Sequence, residues 1–252
     1  MRISATGVSK NYPRAGKSGD VLAAVRPLDL DLKVGDLTVL TGRSGSGKST
    51  LLSMLADMLT PTSGVVSVDE TDMYSLDERA RSRLRNARIG LVPQGHTALR
   101  SLTVLENVLL PAVLYSRQPP PLQRAEELLE AVGIASLAPA RPNELSGGEL
   151  RRMAVARSLL MSPGAVLADE PIERVGIVGD DLDRRTAVLH VDLDISVEVG
   201  DVKQLFQVVC GEFTLFLEAG ELVCIVVTHD VSSVVGNGVF LGSRVPGRVA
   251  GP

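Results

Sequence analysis
A glycine-rich run, Gly42-Arg43-Ser44-Gly45-Ser46-Gly47-Lys48-Ser49, lies between a strand-like stretch and a segment with helical spacing. Leu37-Thr38-Val39-Leu40 leads into it as a strand. Behind it, Leu51, Leu52, Leu55, Met58 and Leu59 predict a helix that runs to the turn at Pro61. A G-x-x-x-x-G-K-[ST] pattern in that strand–loop–helix setting wraps its backbone around phosphate oxygens. The N–H groups of the helix start then complete an anion site. The expected ligand contacts are Gly42, Ser44, Gly45, Gly47, Lys48, Ser49 and Thr50. Lys48 would neutralise the β- and γ-phosphates of ATP, and the Ser49 hydroxyl would bind Mg2+. The bland alternative is a glycine-rich strand-to-helix turn with no ligand.

The rest of the chain repeats the strand–helix alternation. Leu28-Asp29-Leu30-Asp31-Leu32-Lys33-Val34 reads as a strand, as do Val65–Val68, Ile89–Val92, Ala165–Ala168 and Cys224–Thr228. Helical patterns occupy 76–88, 123–132 and 149–160, the first of them arginine-rich and most simply a solvated face. This order predicts an α/β fold with a mainly parallel sheet, whose ligands sit beyond the carboxyl ends of the strands. At one such end Asp169-Glu170 closes the apolar strand Ala165–Ala168. Asp169 is where a water-mediated Mg2+ ligand belongs, and Glu170 would orient and polarise the attacking water. Read alone, the pair is also an ordinary polar strand terminus.

Leu145-Ser146-Gly147-Gly148-Glu149 lies about twenty residues before that carboxylate pair. Ser146 is placed to cap the helix that follows. The same helix start is an anion site, and Gly147 and Gly148 allow close backbone approach.

With these motifs in this order the chain resembles ABC-type ATPases, the nucleotide-binding subunits of ABC transporters. The likeness covers residues 1 to about 171 and resumes near Leu222. It implies one phosphate-loop NTPase domain over 1–252, with an N-terminal antiparallel β subdomain (strands in 1–40) and an α-helical signature subdomain (about 78–160). It also implies that Tyr12 stacks on adenine, that Gln94 senses Mg2+ and the water, and that His229 contacts the γ-phosphate. Asp183 matches the family turn that touches the opposite phosphate loop. Two copies would sandwich two ATPs, so that Ser146, Gly147 and Gly148 of one chain face the nucleotide held by Lys48 of the other. Ser75-Leu76, the arginine-rich helix, Arg88–Val92 and Leu102–Pro111 are similar to the branch of lipoprotein-releasing, macrolide-exporting and cell-division ATPases.

The likeness breaks after Pro171. Asp183 lies farther from Glu170 than the family turn allows, and the interval from Glu170 to His229 exceeds the usual gap by roughly two dozen residues, more than an ordinary loop. Val191–Val199 alternates strictly, a strand pattern where the family has a helix. The segment 172–220 is either an inserted β element, since loop closure grows slowly with length, or a stretch foreign to the domain.

The bulk numbers fit a cytoplasmic subunit. A chain of 252 residues, 44% hydrophobic and 22% charged, can bury a full core. A net charge of -4 argues against a nucleic-acid partner. No signal-peptide core and no apolar run of ~18 residues is present. Cys210 and Cys224 fit no metal or redox spacing and read as core residues. The resemblance implies a homodimer, docked on the inner face of the membrane through an integral permease, that hydrolyses ATP to drive it. The apolar stretch 102–115 is a candidate docking face or buried core. The alternative function is an ATP-binding regulatory or assembly subunit with weak or no hydrolysis. A soluble phosphate-loop kinase or DNA-repair ATPase is a third reading, opposed by the missing basic face.

Overall fold
A computed structural model describes residues 1–14, 21–33, 37–41, 45–95, 97–115, 119–169, 187–191, 195–200 and 223–228. The alternating N-terminal segments pair as antiparallel strands, β1 (Arg2–Pro13) and β2 (Val21–Lys33). In β2, Leu28, Leu30 and Leu32 are buried while Asp29 and Asp31 are exposed, the period-two division expected of a sheet with one wet face. With β4 (Ser63–Val68) and β5 (Thr71–Asp72) they form an antiparallel sheet in the order β2-β1-β4-β5.

The second sheet carries the site. β6 (Ile89–Val92), β7 (Ala165–Asp169), β10 (Val223–Thr228) and β3 (Leu37–Thr41) lie side by side in that order, all parallel. β7 shows why its sequence is apolar without interruption. Ala165 and Leu167 enter a core with β1, β2, β4 and helix α1 (Lys48–Leu55), while Val166 and Ala168 enter a second core on the opposite face. That second core is built by α3 (Val104–Tyr115), α4 (Leu122–Ala131) and α5 (Gly147–Leu159). Fully burying one Leu, such as Leu55 or Leu129, is worth about 2 kcal/mol. An exposed helical charge pair gives only a few tenths of that. The two cores therefore fix the frame, and α2 (Glu78–Arg88), which buries no residue, decorates it.

Two expectations need correction. The helix after the glycine-rich run ends at Leu55, before Met58 and Leu59. Asp57 turns the chain into the left-handed region (φ 55), and its buried carboxylate is held by Arg81 Nε at 3.2 Å and Arg85 Nη1 at 3.0 Å. The Tyr74 hydroxyl closes the turn, 2.8 Å from the carbonyl oxygens of both Met54 and Leu59. Met58 is left exposed. The alternating stretch Val191–Val199 is not one strand but parts of two, β8 (Ala187–Val191) and β9 (Ile195–Gly200), with Val191 opposite Ile195. β9 pairs antiparallel with β3 and extends the sheet beyond it. Hydrophobic alternation cannot report a reversal of direction, because both arms of a hairpin keep the same period.

The stretch 102–115 divides between its two readings. Val104, Val108 and Ala112 are core, whereas Val113, Leu114 and Tyr115 are exposed. Buried Asn107 holds the loop before α3, accepting from Leu99 N at 2.8 Å and donating to Leu99 O at 3.0 Å and Thr103 O at 2.8 Å. No described helix is long and apolar enough to cross a membrane. Cys210 lies outside the described residues, and Cys224 is on the central strand β10.

Candidate nucleotide site
α1 starts in a way that only glycine permits. Gly47 sits at its N-cap with φ 97, and a Cβ there would lie 2.2 Å from the Ala24 carbonyl oxygen. The backbone of β2 is therefore the wall against which the run is pressed. The first-turn N–H groups of any α-helix lack intrahelical acceptors, and here no side chain among the described residues caps them. Behind them the Lys48 side chain is packed away, with the residue 4% exposed. The Ser46 hydroxyl is buried and has no hydrogen-bond partner among the described residues. A buried cation, uncapped helix donors and an unsatisfied hydroxyl form a cradle that fits a polyanion. Ser49 is exposed and Thr50 half-buried in the same turn, whereas Gly42 and Ser44 lie outside the described residues.

The register of the parallel strands gathers the other expected residues on one rim. Val92 lies opposite Ala168, Asp169 opposite Val227, and Thr228 opposite Thr41. The strands thus end together at the point where β3 runs on toward the glycine-rich run. Asp169 is buried at this rim, 8% exposed, a setting that favours a carboxylate which is paired or binds a cation. Gln94 leaves β6 at the same edge and is exposed. Glu170, Asp183 and His229 fall outside the described residues. Tyr12 is 38% exposed near the end of β1, with the Lys10 ammonium 5.4 Å from its ring centroid. Its strand partner Leu22 lies close along β2 to Ala24, the wall behind Gly47, so this end of the hairpin borders the cradle.

The second glycine run is built differently. Ser146 caps α5 with a reciprocal box: its Oγ accepts from Glu149 N at 3.3 Å, and its own N donates to Glu149 Oε2 at 2.7 Å. The Ser146 hydroxyl also lies 2.7 Å from Glu149 Oε2, and these donors hold the Glu149 carboxyl below its ordinary pKa. Ser146, Gly147 and Gly148 are exposed. Among the described residues a Cβ at Gly148 would meet nothing within 4 Å, so none of them demands glycine there. α1 packs on β1, β2, β7 and β10, and α5 on β6, α3 and α4. One chain thus carries its two glycine-rich helix starts in two separate cores.

Sequence reasoning missed the link between α5 and the Gln94 turn. Arg151 Nη2 lies 3.5 Å from the Gln94 carbonyl oxygen, and Arg157 donates to Thr97 O at 3.1 Å and to Thr97 Oγ1. Nothing in the spacing marked these arginines. The Ser146–Glu149 box, by contrast, was open to reading as S-x-x-E ahead of a helix.

Comparison with known proteins decides the family. The family model described as ABC transporter matches residues 25–173. The chain is also 38% identical over 233 residues, 88% of its length and 97% of the relative's, to the lipoprotein-releasing system ATP-binding protein LolD of Pseudomonas fluorescens. The chain belongs to the ABC transporter family. LolD 1 of Rhodopirellula baltica is 45% identical over 165 residues, covering 65% of this chain and 71% of that one. Among solved structures, the chain is similar to the dimeric ATP-binding cassette MJ0796 in a post-hydrolysis state bound to ADP and Pi. The TM-score is 0.70 at 28% identity, covering 92% of this chain and 90% of that one. This ABC protein is an ATP-binding and ATP-hydrolysing transporter subunit with the phosphate-loop α/β fold expected from its sequence.

Proposed function
We propose that two copies of this chain close head to tail around two ATP molecules and drive a membrane permease of the lipoprotein-releasing type. The observation that carries this reading is the division of phosphate-facing elements between two cores, one buried and uncapped at Lys48, the other exposed and self-capped at Ser146. In each site Gly42, Ser44, Gly45, Gly47, Lys48, Ser49 and Thr50 of one chain hold the phosphates, and Tyr12 stacks on the base. Ser146, Gly147 and Gly148 of the other chain close the site, together with Asp183. Ser49, Asp169 and Gln94 are the residues that hold Mg2+, which supplies charge neutralisation on the β- and γ-phosphate oxygens. Gln94 and Glu170 orient water at the γ-phosphorus, and Glu170 takes its proton as the bond to ADP breaks. His229 steadies the γ-phosphate through that step. Closure would assemble these groups only when both chains are engaged, as lids do in other enzymes.

The names of the relatives LolD and LolD 1 support the lipoprotein-releasing branch. A permease would place the subunit on the inner face of the cell membrane. The exposed end of α3, with Tyr115 and Pro111 lining one groove with Met58 and Met161, supports a docking face for that partner. A second reading, an ATP-binding regulatory subunit of feeble turnover, is favoured by the β8–β9 hairpin beside β3, in a segment 172–220 that we regard as an insertion. Magnesium-dependent turnover of the purified chain beside Glu170→Gln separates the two. Turnover abolished in the variant supports the motor. ATP binding with no turnover above the variant's supports the regulator.

A further inference from the structure
Arg157 is a half-buried guanidinium that desolvation pushes below its ordinary pKa, and among the described residues no carboxylate pairs with it. Such a cation is costly to keep unless its donors are used. Among the described residues its acceptors are both on one neutral residue, Thr97 O at 3.1 Å and Thr97 Oγ1. Leu150, Ala154 and Arg157, spaced along one face of α5, look across a narrow cleft at Pro93, Thr97 and Ala98. Arg151 reaches the same turn at the Gln94 carbonyl. Ser146, at the start of this helix, stands about 16 Å along the axis from Arg157.

We propose that Arg157 is a positioning residue of the nucleotide site: by clasping Thr97 it fixes the Gln94 turn to the signature helix, so that Ser146 and Gln94 move as one body. The proposal rests on the reading that Ser146 meets the partner chain's ATP and Gln94 its own. Capture of Ser146 by one nucleotide then sets the place of Gln94 at the other. A side chain that only fills space on α5 would not divide its effects in this way.

The test uses the full chain with Arg157→Met, Arg157→Lys and Thr97→Val, the last leaving the helix untouched. For Arg157→Met, turnover at saturating Mg-ATP should fall about tenfold, the loss expected for hydrogen bonds to a charged group. In a Glu170→Gln background the ATP needed for half-maximal dimerisation should rise by a similar factor, about tenfold. The monomer's affinity for a fluorescent ATP analogue should stay within about twofold of wild type, because the cradle at Lys48 lies in the other core. Arg157→Lys should recover part of the loss, and Thr97→Val should show a smaller change of the same kind. Amide hydrogen exchange should quicken at residues 94–98 and not at 47–55. Unchanged turnover and dimerisation in folded Arg157→Met overturns the proposal, as does analogue affinity falling in step with turnover. A wild-type chain that neither dimerises nor hydrolyses ATP would sink the nucleotide-site reading and the coupling with it. Hydrogen exchange at 94–98 would still report on the clasp alone.

Discussion

α1 and α5 both begin at a glycine-rich turn, and they begin in opposite ways. α1 starts from a left-handed glycine pressed on β2, with no side-chain cap from the described residues and with Lys48 packed out of solvent. α5 starts from an exposed Ser146 whose reciprocal bond with Glu149 satisfies the end that α1 leaves open. An uncapped helix start beside a buried cation is held in shape by the surrounding fold and suits a ligand within the same chain. A capped and exposed start already has an internal carboxylate in the place of an anion. It suits a ligand that arrives from outside and competes for the serine.

Substitutions at the two helix starts can break this contrast. Lys48→Ala should have the largest effect, lowering turnover on the order of a hundredfold or more by removing the charge aimed at the phosphates. Wild-type-like turnover in that variant would remove the cradle from the account. Gly47→Ala should destabilise the single chain by about 3 kcal/mol, through positive φ and overlap with the Ala24 carbonyl, read as a shifted urea midpoint. Ser146→Ala should cost about 1 kcal/mol as a lost cap. It should also weaken ATP-driven dimerisation while leaving binding of an ATP analogue to the monomer intact. Gly148→Ala should change monomer stability by less than about 0.5 kcal/mol, since no described residue lies near its Cβ, with its effect confined to dimer formation. A large stability loss at Gly148 would erase the difference between the two glycines.

The smallest expected effect is acid sensitivity. Ser146 donors lower the Glu149 pKa, and Thr103 donors lower that of Glu106. A depressed folded pKa gives stability that is present above the unfolded value, roughly pH 4.3 for Glu, and lost as pH falls through the folded one. Thermal midpoints should therefore decline below about pH 4, with a shallower decline in Glu149→Gln. An identical decline in that variant would show that the cap carries no charge-dependent stability.

Much of this contrast was legible beforehand. The apolar run of β7 and the L-D-L-D-L alternation of β2 fixed strand identity through burial alone, which is a local property of sequence. The cradle at Lys48 was legible because Gly47 sits where backbone must approach backbone. The stop of α1 at Leu55 was not, because it depends on Arg81 and Arg85 closing on Asp57 from a helix more than twenty residues away. The hairpin β8–β9 was hidden because its arms share one period. The arginine clasp on Thr97 was hidden because it joins positions about sixty residues apart. What the sequence concealed was contact between distant segments, where pattern gives no signal.

The central claim is that each ATP is held by Lys48 of one chain and Ser146 of the other. Mixing Lys48→Ala with Ser146→Ala chains, both in a Glu170→Gln background, tests it most directly. In a head-to-tail dimer the heterodimer carries one doubly defective site and one intact site. ATP should then produce a heterodimer retaining one nucleotide, while each variant alone stays monomeric. If the mixture remains monomeric, or if the Ser146→Ala chain alone dimerises with ATP as fully as the mixture does, the shared site is contradicted.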